Sequence, residues 1–531
     1  MKSIQMSGMP KRTHGRGTKS MSRNAWLLSG MFFLSLGSSA MANEDYGISD
    51  RPQKFDVVDS VRLEARTWPA TVDAAGLAEN ELEIVSEDAI RQSLAQKLKS
   101  WDARLTSSRS LGVIQKDITN FYSERYFRPL WISEGKWSSQ GIKLINILDR
   151  ADEDGLASSD YSIPRIDPAG SNPDELAAAD LSLSLAIIGY ARDARGARVD
   201  LARLSKLITP KLELPDTQTV LGDLVTSSDP GSALAAYNPQ HPGYLALKAK
   251  LAQFREYTAS IAPAPVSEPS ANVSPQKSSN PRPPSISEII ANMERWRWLP
   301  RDLGSERIEV NLPEFTARVI RRNQIVHQTR VIIGKQTTPT PLFSNQMVHL
   351  IVNPSWHVPP SIIKKEILPK LVEDPEYAVR NGYEVTELGS GGVSVRQPPG
   401  QGNALGLVKF MFPNEHSVYL HDTPSRKLFA NEERAYSHGC VRVQNPFELA
   451  AILLDDPQYS EDKLKAMIGK GERLIRLKAP VPIHLTYFTL LVNENGEIQR
   501  ISDVYGYDKP LEQALKASPS RALAALRQTG G

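Results

Sequence analysis

Residues 285–334 read SISEIIANMERWRWLPRDLGSERIEVNLPEFTARVIRRNQIVHQTRVIIG, and the hydrophobic period changes inside them. Ser285 and Glu288 stand three apart in front of an apolar run, the spacing of a capping box. Ile286, Ile289, Ile290, Met293 and Trp296 share one side of the helix that follows. From Ile308 the repeat falls to two: Ile308, Val310 and Leu312 alternate with polar residues, then Phe315, Ala317 and Val319, and a longer run from Ile325 to Ile333 stops at Gly334. One helix therefore leads into a strand-rich domain. Its Trp-rich end, Glu294 to Trp298, reads as a helix end that seats one domain on another rather than as a sugar platform.

Toward the N-terminus the composition shifts at once. About half of residues 260–285 are Pro or Ser, too few large apolar groups to bury a core, so this stretch is predicted to be a flexible tether. Before it, in 81–259, helical periodicity dominates. Ser86 caps a helix with Glu87 and Asp88 in its first turn and Ile90, Leu94, Leu98 and Trp101 on one face, and further helices fit Ile142 to Leu148 and Leu181 to Ala191. Phe121 to Tyr126 and Pro129-Leu130-Trp131 are dense in aromatics without a convergent acid, base or metal-ligand set, so packing is the expected role. Residues 43–80 are expected to be poorly ordered. Residues 1–42 read as a secretory leader: basic residues up to Arg23, an apolar run of about twelve residues from Ala25 to Leu36, then Ala40-Met41-Ala42. That run is shorter than the roughly 18 to 20 residues of a spanning helix, so the mature chain is expected outside the cytoplasm, in the periplasm.

Toward the C-terminus strands continue to about Asn353. Proline and charge then interrupt the pattern across 357–396, a helical insertion placed to cover a cleft. Alternation returns at Leu407 to Phe412 and at Ser417 to His421. Asn445-Pro446 opens a helix to about Leu454, Leu474 to Leu477 and Leu485 to Val492 look like closing strands, Asn495-Gly496 marks a turn, and 501–531 reads as a tail. The fold class is α+β and multidomain: a helical domain, then a mostly β, sandwich-like domain (286–500) with an inserted helical cap.

The 531 residues are enough for two to four domains, and 63 basic against 60 acidic residues leave a net charge of +3 without the clustered basic stripe of a nucleic-acid binder. The single cysteine, Cys440, excludes an intramolecular disulfide, a CxxC redox pair and a zinc site built on several thiolates. It lies in the stretch from Tyr419 to Val443, YLHDTPSRKLFANEERAYSHGCVRV, with two histidines. A thiol attacks as the thiolate, and an imidazole that takes its proton is the usual activation, so His421 and His438 are the candidate bases. His438 is two residues from Cys440, a relation that a bend at Gly439 would undo. Tyr419 shares a strand face with His421 and can donate to a developing oxyanion, as can the amides around Gly439 and Cys440. Asp422 faces away from His421 on a strand, which leaves a backbone carbonyl to orient the ring. Alternation sets His416 opposite His421 and no acid falls at a ligand spacing, so neither metal nor cofactor is expected.

This pattern resembles the L,D-transpeptidases of bacterial cell walls, with the YkuD-type catalytic domain. Their signature is a His, about 14 to 17 residues, then [Ser/Thr]-His-Gly-Cys; here His421 is followed by fifteen residues and Ser437-His438-Gly439-Cys440. The likeness to the long periplasmic branch extends through Asn292 to Trp298, Asn353-Pro354-Ser355-Trp356, Val358 to Ile362, Arg396 to Gly400, Asn403 to Gly406 and Tyr419 to Thr423. It implies that Cys440 is the nucleophile and His421 the general base. Tyr419 and the Gly439 and Cys440 amides would be the oxyanion donors, Ser437 and His438 would shape the loop, and Trp356 and His357 would line the cleft. Arg442 would be either a substrate-carboxylate contact or part of a structural ion pair. The helical domain would be that branch's scaffold, and the tether would stand where the branch usually has a peptidoglycan-binding module. The implied reaction joins peptidoglycan stem peptides, a tetrapeptide donor and a diaminopimelate acceptor amine, into a 3-3 crosslink through a thioester, with carbapenems as covalent inhibitors. Hydrolysis of the same thioester would make a carboxypeptidase, and a wall-binding scaffold would need no thiol.

Overall fold

The computed structural model describes residues 85–102, 109–167, 170–260, 283–389 and 392–517. The leader, the segment 43–80 with the four residues after it, most of the tether and the last fourteen residues lie outside the described residues. The described chain belongs to one compact unit.

The helical half is built around a buried helix. Helices α1 (Glu87–Asp102), α2 (Arg109–Glu124) and α3 (Ser139–Asp149) surround α4 (Pro173–Asp193), which is buried along nearly its whole length. Ile90, Leu94, Leu98 and Trp101 face inward from α1, as their spacing predicts. α4 begins at Asn172 with a capping box closed by Glu175, and carries two buried acids, Asp180 in its middle and Asp193 at its end. Asp180 accepts hydrogen bonds from the Trp131 amide (2.7 Å) and the Tyr122 hydroxyl (2.5 Å), and Ser184 accepts from the Trp131 indole (2.7 Å). The aromatic cluster is therefore packing, and Asp180 is the reason its polar atoms can be buried. Helices α5 (Thr217–Thr226) and α6 (Pro242–Ser260) follow, with short helical turns at Leu201–Leu204 and Pro230–Ala235.

Helix α7 (Ile286–Arg297) has both reciprocal bonds of the capping box between Ser285 and Glu288, and Ile289 and Met293 pack against Tyr244, Leu247 and Leu251 of α6. The chain then enters the β domain, whose main strands are β1 (Glu306–Asn311), β2 (Thr316–Arg321), β3 (Gln324–Gly334), β4 (Phe343–Val352), β5 (Val408–Met411), β6 (Leu420–His421), β7 (Ala435–Ser437), β8 (Val441–Val443) and β9 (Arg473–Thr486). Their order is β7-β3-β8-β6-β5-β4-β9-β1-β2. The additional β2–β3 pairing closes the layers on one another: β3 gives its first half to β2 and its second half to β8 and β7. Such sharing is what an eleven-residue strand allows and a six-residue one does not. The core between the layers is Ile308, Val310, Val331, Ile333, Leu350, Val352, Phe410, Leu420, Val441 and their neighbours.

The insertion after β4 has its own small core of Val358, Ile363, Ile367 and Val395. It contains a short helical segment and a three-stranded sheet, Trp356–His357 with Val393–Gln397 with Glu384–Glu387. Helix α8 (Pro446–Leu454) follows Asn445. The stretch read as a tail contains a helix, α9 (Asp508–Ala517), whose Leu511 and Leu515 join the main core.

Candidate active site

Three short strands set the site. β6 runs parallel to β8 with His421 in register with Arg442, and antiparallel to β5 with Lys409 in register with His421. Partners in register share a face, and so do residues two apart. Lys409, His421 and Arg442 therefore form one row across the sheet, and Tyr419 and Cys440 the next row on the same face.

The sulfur is surrounded by donors and cations. Tyr419 hydrogen-bonds it through both the backbone N–H and the phenol, and Lys409 and Arg442 act on it through their charge. The thiol itself points to the Ser417 carbonyl, 4.0 Å away. Burial pushes the Cys440 thiol up, against the pull of the Tyr419 bonds and the two cations. The residue as a whole is partly open to the surface, so the crowding is of atoms around the sulfur rather than a sealed pocket.

His421 is buried, and its Nδ1 hydrogen-bonds the Asp422 carbonyl at 2.5 Å. A backbone carbonyl thus orients the ring, as strand geometry requires, and Nδ1–H leaves Nε2 as the basic nitrogen. The Asp422 carboxylate instead accepts from the Leu407 N–H (2.9 Å) and from Arg426. It lies where a side chain on Gly406 would stand, at φ +60°, which is why that position is glycine. Burial, then Arg442, then Lys409 push the His421 imidazole down to about 3, against the Asp422 and Leu405 carbonyls. Its ring stands edge-on to Tyr419 at 5.7 Å. No hydrogen bond joins His421 to Cys440 among the described residues; they share a face, and contacts of this kind tighten when substrate binds.

The Ser-His-Gly-Cys loop sorts its own groups. Gly439 bends the chain at φ +114°, so His438 leaves the face of Cys440 and pairs through Nε2 with Glu366 of the insertion at 2.7 Å. The Ser437 hydroxyl donates to the Cys440 carbonyl (2.5 Å) and accepts from the Gly439 N–H (3.1 Å). The Gly439 amide is therefore occupied and is not positioned as an oxyanion donor, a correction to the sequence reading. The Cys440 N–H has no partner among the described residues. Trp356 hydrogen-bonds the Tyr419 phenol and lies 6.4 Å from the Tyr383 ring of the insertion, so it ties the cap to the site. His357, its neighbour on a two-residue strand, is exposed on the other side. Arg442 forms no ion pair among the described residues, and its Nε is buried without a partner.

Two contributors escaped the sequence. Lys409 is the one charged residue of the strand Leu407 to Phe412, and its Nζ lies 3.9 Å from the centre of the Tyr419 ring; alternation alone reads it as solvent-facing. Glu366 could not be paired with His438 without the fold. Among the described residues no three His, Cys, Asp or Glu side chains cluster as a metal site.

Comparison with known proteins gives this arrangement relatives. Residues 305–482 match the YkuD family model, described as an L,D-transpeptidase catalytic domain, and residues 116–251 match the model described as a scaffold domain. A Haemophilus influenzae protein provisionally named an L,D-transpeptidase is 32% identical over 244 residues, 43% of this chain and 49% of that protein. The chain thus spans about half the length of this curated relative. Among solved structures, an LD transpeptidase in complex with imipenem is 12% identical with a TM-score of 0.19, covering 34% of this chain and 59% of that one. An L,D-transpeptidase from Mycobacterium smegmatis is 14% identical with a TM-score of 0.19, covering 34% and 58%. Residues 305–482 are thus similar to an L,D-transpeptidase catalytic domain, and residues 116–251 to a scaffold domain.

Proposed function

We propose that the protein is an exported, periplasmic L,D-transpeptidase that forms 3-3 crosslinks between peptidoglycan stem peptides through a thioester on Cys440. What supports this best is the convergence of Cys440, Tyr419 and His421 on one sheet face, with Trp356 and His438 linking that face to the cap. In the first half-reaction Sγ bonds to the carbonyl carbon of the third, diaminopimelate residue of a tetrapeptide stem. The thiol proton passes to Nε2 of His421 and on to the leaving amine of D-alanine as the C–N bond breaks. The Tyr419 hydroxyl and the Cys440 N–H are the donors placed to hold the oxyanion. In the second half-reaction the side-chain amine of another stem attacks the thioester, the Sγ–C bond breaks, and the amine's proton returns to sulfur through His421. A neutral imidazole suits both steps, because it can accept a proton without first losing one. Arg442, a cation without an acidic partner among the described residues, suits a carboxylate of the donor.

The test is mass analysis of disaccharide-tetrapeptides incubated with the purified protein. Dimers joined 3-3, with D-alanine released and neither product formed by Cys440→Ala, are expected. Tripeptide products without dimers would replace the transferase with an L,D-carboxypeptidase, and unchanged substrate would dismiss both. A carbapenem, as an activated acyl donor, is expected to add once per chain to the native protein and not to Cys440→Ala.

A further inference from the structure

The row Lys409–His421–Arg442 places two fixed cations on either side of the imidazole, and Cys440 lies one step along the same face. Lys409 stands over the Tyr419 ring at 3.9 Å, a cation–π contact that holds an otherwise mobile ammonium in place. The phenol of that ring is hydrogen-bonded to the sulfur. No carboxylate lies within ion-pair distance of Lys409 among the described residues. The acid whose charge reaches it, Glu472, already accepts from the Ser355 N–H (2.8 Å) and hydroxyl (2.6 Å). The groups that favour the charged form of Lys409 are Cys440 first and Glu472 second, against its burial. A half-buried cation without a counter-ion is costly, and the anion this site can make is the thiolate.

In the resting site, before substrate draws a proton through it, the imidazole does not fill that role. An imidazolium at His421 would put three positive charges in one row, and burial with the Arg442 and Lys409 charges keeps the ring neutral. The charges facing the sulfur are Lys409 from β5 and Arg442 from β8, with the Tyr419 phenol from the residue before β6; the groups facing Lys409 are Cys440, Glu472 and, on β4, His349.

We propose that Lys409 is a positioning residue for the nucleophile: held on the Tyr419 ring, it is the fixed counter-charge of the Cys440 thiolate, in place of an imidazolium partner. This rests on Cys440 being the nucleophile, as the proposed function requires, but not on the identity of the acceptor.

Alkylation of Cys440 by iodoacetamide, a neutral probe, followed by intact mass from pH 6 to 10.5 tests it in the full chain. In Lys409→Met the midpoint is expected to move up by about one pH unit and the rate at pH 7 to fall about tenfold, the equivalent of one unit. Lys409→Arg is expected to stay within about twofold of native, because Arg retains the charge and the stacking. If Lys409→Met unfolds by circular dichroism, Lys409→Gln gives the same reading. A Met or Gln profile that superimposes on native overturns the proposal. So does a native profile with slower acylation only by donors carrying a free terminal carboxylate, which would make Lys409 a substrate contact. Loss of crosslinking on muropeptides with the shifted profile intact would refute the proposed function and leave this assignment standing.

Discussion

At the scale of single residues, the site separates the two titrations that a Cys–His pair usually mixes. His421 is pushed down to about 3 and stays neutral through the working range, while burial pushes the Cys440 thiol up. The sign follows: as pH rises the reactive thiolate increases, and no imidazole deprotonation adds a step near 6.5. Carbapenem acylation of the native protein from pH 5 to 8.5 is expected to rise about tenfold per pH unit with a single slope. Stopped-flow quenching or intact mass with time checks it, and an inflection between pH 6 and 7 would show that His421 titrates normally. Cys440 and His421 could be named as candidates from the sequence because their spacing and the Ser-His-Gly-Cys setting are local. Lys409 was not, because a lone lysine in an alternating strand looks the same whether its face meets water or a thiol. Only the register of β5 on β6 decides. The Gly439 amide escaped for a similar reason: the hydrogen bond it donates to the Ser437 hydroxyl goes with a φ of +114° at that glycine.

At the scale of elements, the cap shows how far periodicity carries. Its helical part was readable from Ile362, Ile363 and Ile367, but the three-stranded sheet behind it was not, because Glu384–Glu387 is exposed at every position and has no apolar alternation to announce it. The helical part widens into a π turn at Ile363–Ile367, which ends two residues before Pro369. Proline lacks an N–H and crowds the carbonyl four residues back, and a wider turn relieves both. Glu366, within that turn, is the residue that meets His438, so the local distortion and the tie to the Ser-His-Gly-Cys loop coincide. Both partners are more than a third exposed, and such pairs contribute about 0 to 1 kcal/mol. Glu366→Gln is therefore expected to leave the melting temperature within about 2 °C of native, roughly what such an energy produces in a large domain. Hydrogen exchange read by mass spectrometry is expected to quicken across 362–373 and not in α4. Unchanged exchange there would mean that the small core of Val358, Ile363, Ile367 and Val395 holds the cap without the ion pair.

At the scale of the molecule, the helical and β halves are packed rather than strung together, although a Pro/Ser-rich stretch separates them in sequence. Trp296 is wedged between His241 (5.5 Å) and Phe488 (4.4 Å), against Gly243, where any side chain would collide with the indole. Arg297, at the end of α7, is fully buried in an ion pair with Glu294 (3.1 Å) and reaches the Asp154 carbonyl (2.5 Å), Asn238 (3.3 Å) and Tyr244 (3.0 Å) of the helical half. Two residues earlier Arg295 points the other way, to Asp508 (2.6 Å) and Thr489 (3.0 Å). One helix thus sends alternate arginines into the two halves. Backbone bonds add a second seam, from the Thr209 N–H to the Leu342 carbonyl (3.0 Å) and from the Leu342 N–H to the Leu207 carbonyl (2.8 Å). The covalent link between 260 and 283 is then dispensable for association. A chain cut once at a protease site inserted beside Lys277 is expected to elute from a sizing column as a single species carrying both fragments. In Arg297→Ala, Glu294 and the groups around it lose their partner inside the protein, a loss of about 3 to 5 kcal/mol, and the cut fragments are expected to separate while the uncut variant stays folded by circular dichroism. Fragments that part without the substitution would show that the interface needs its tether, and fragments that stay together with it would place the strength of the junction in Trp296 and the Leu342 seam.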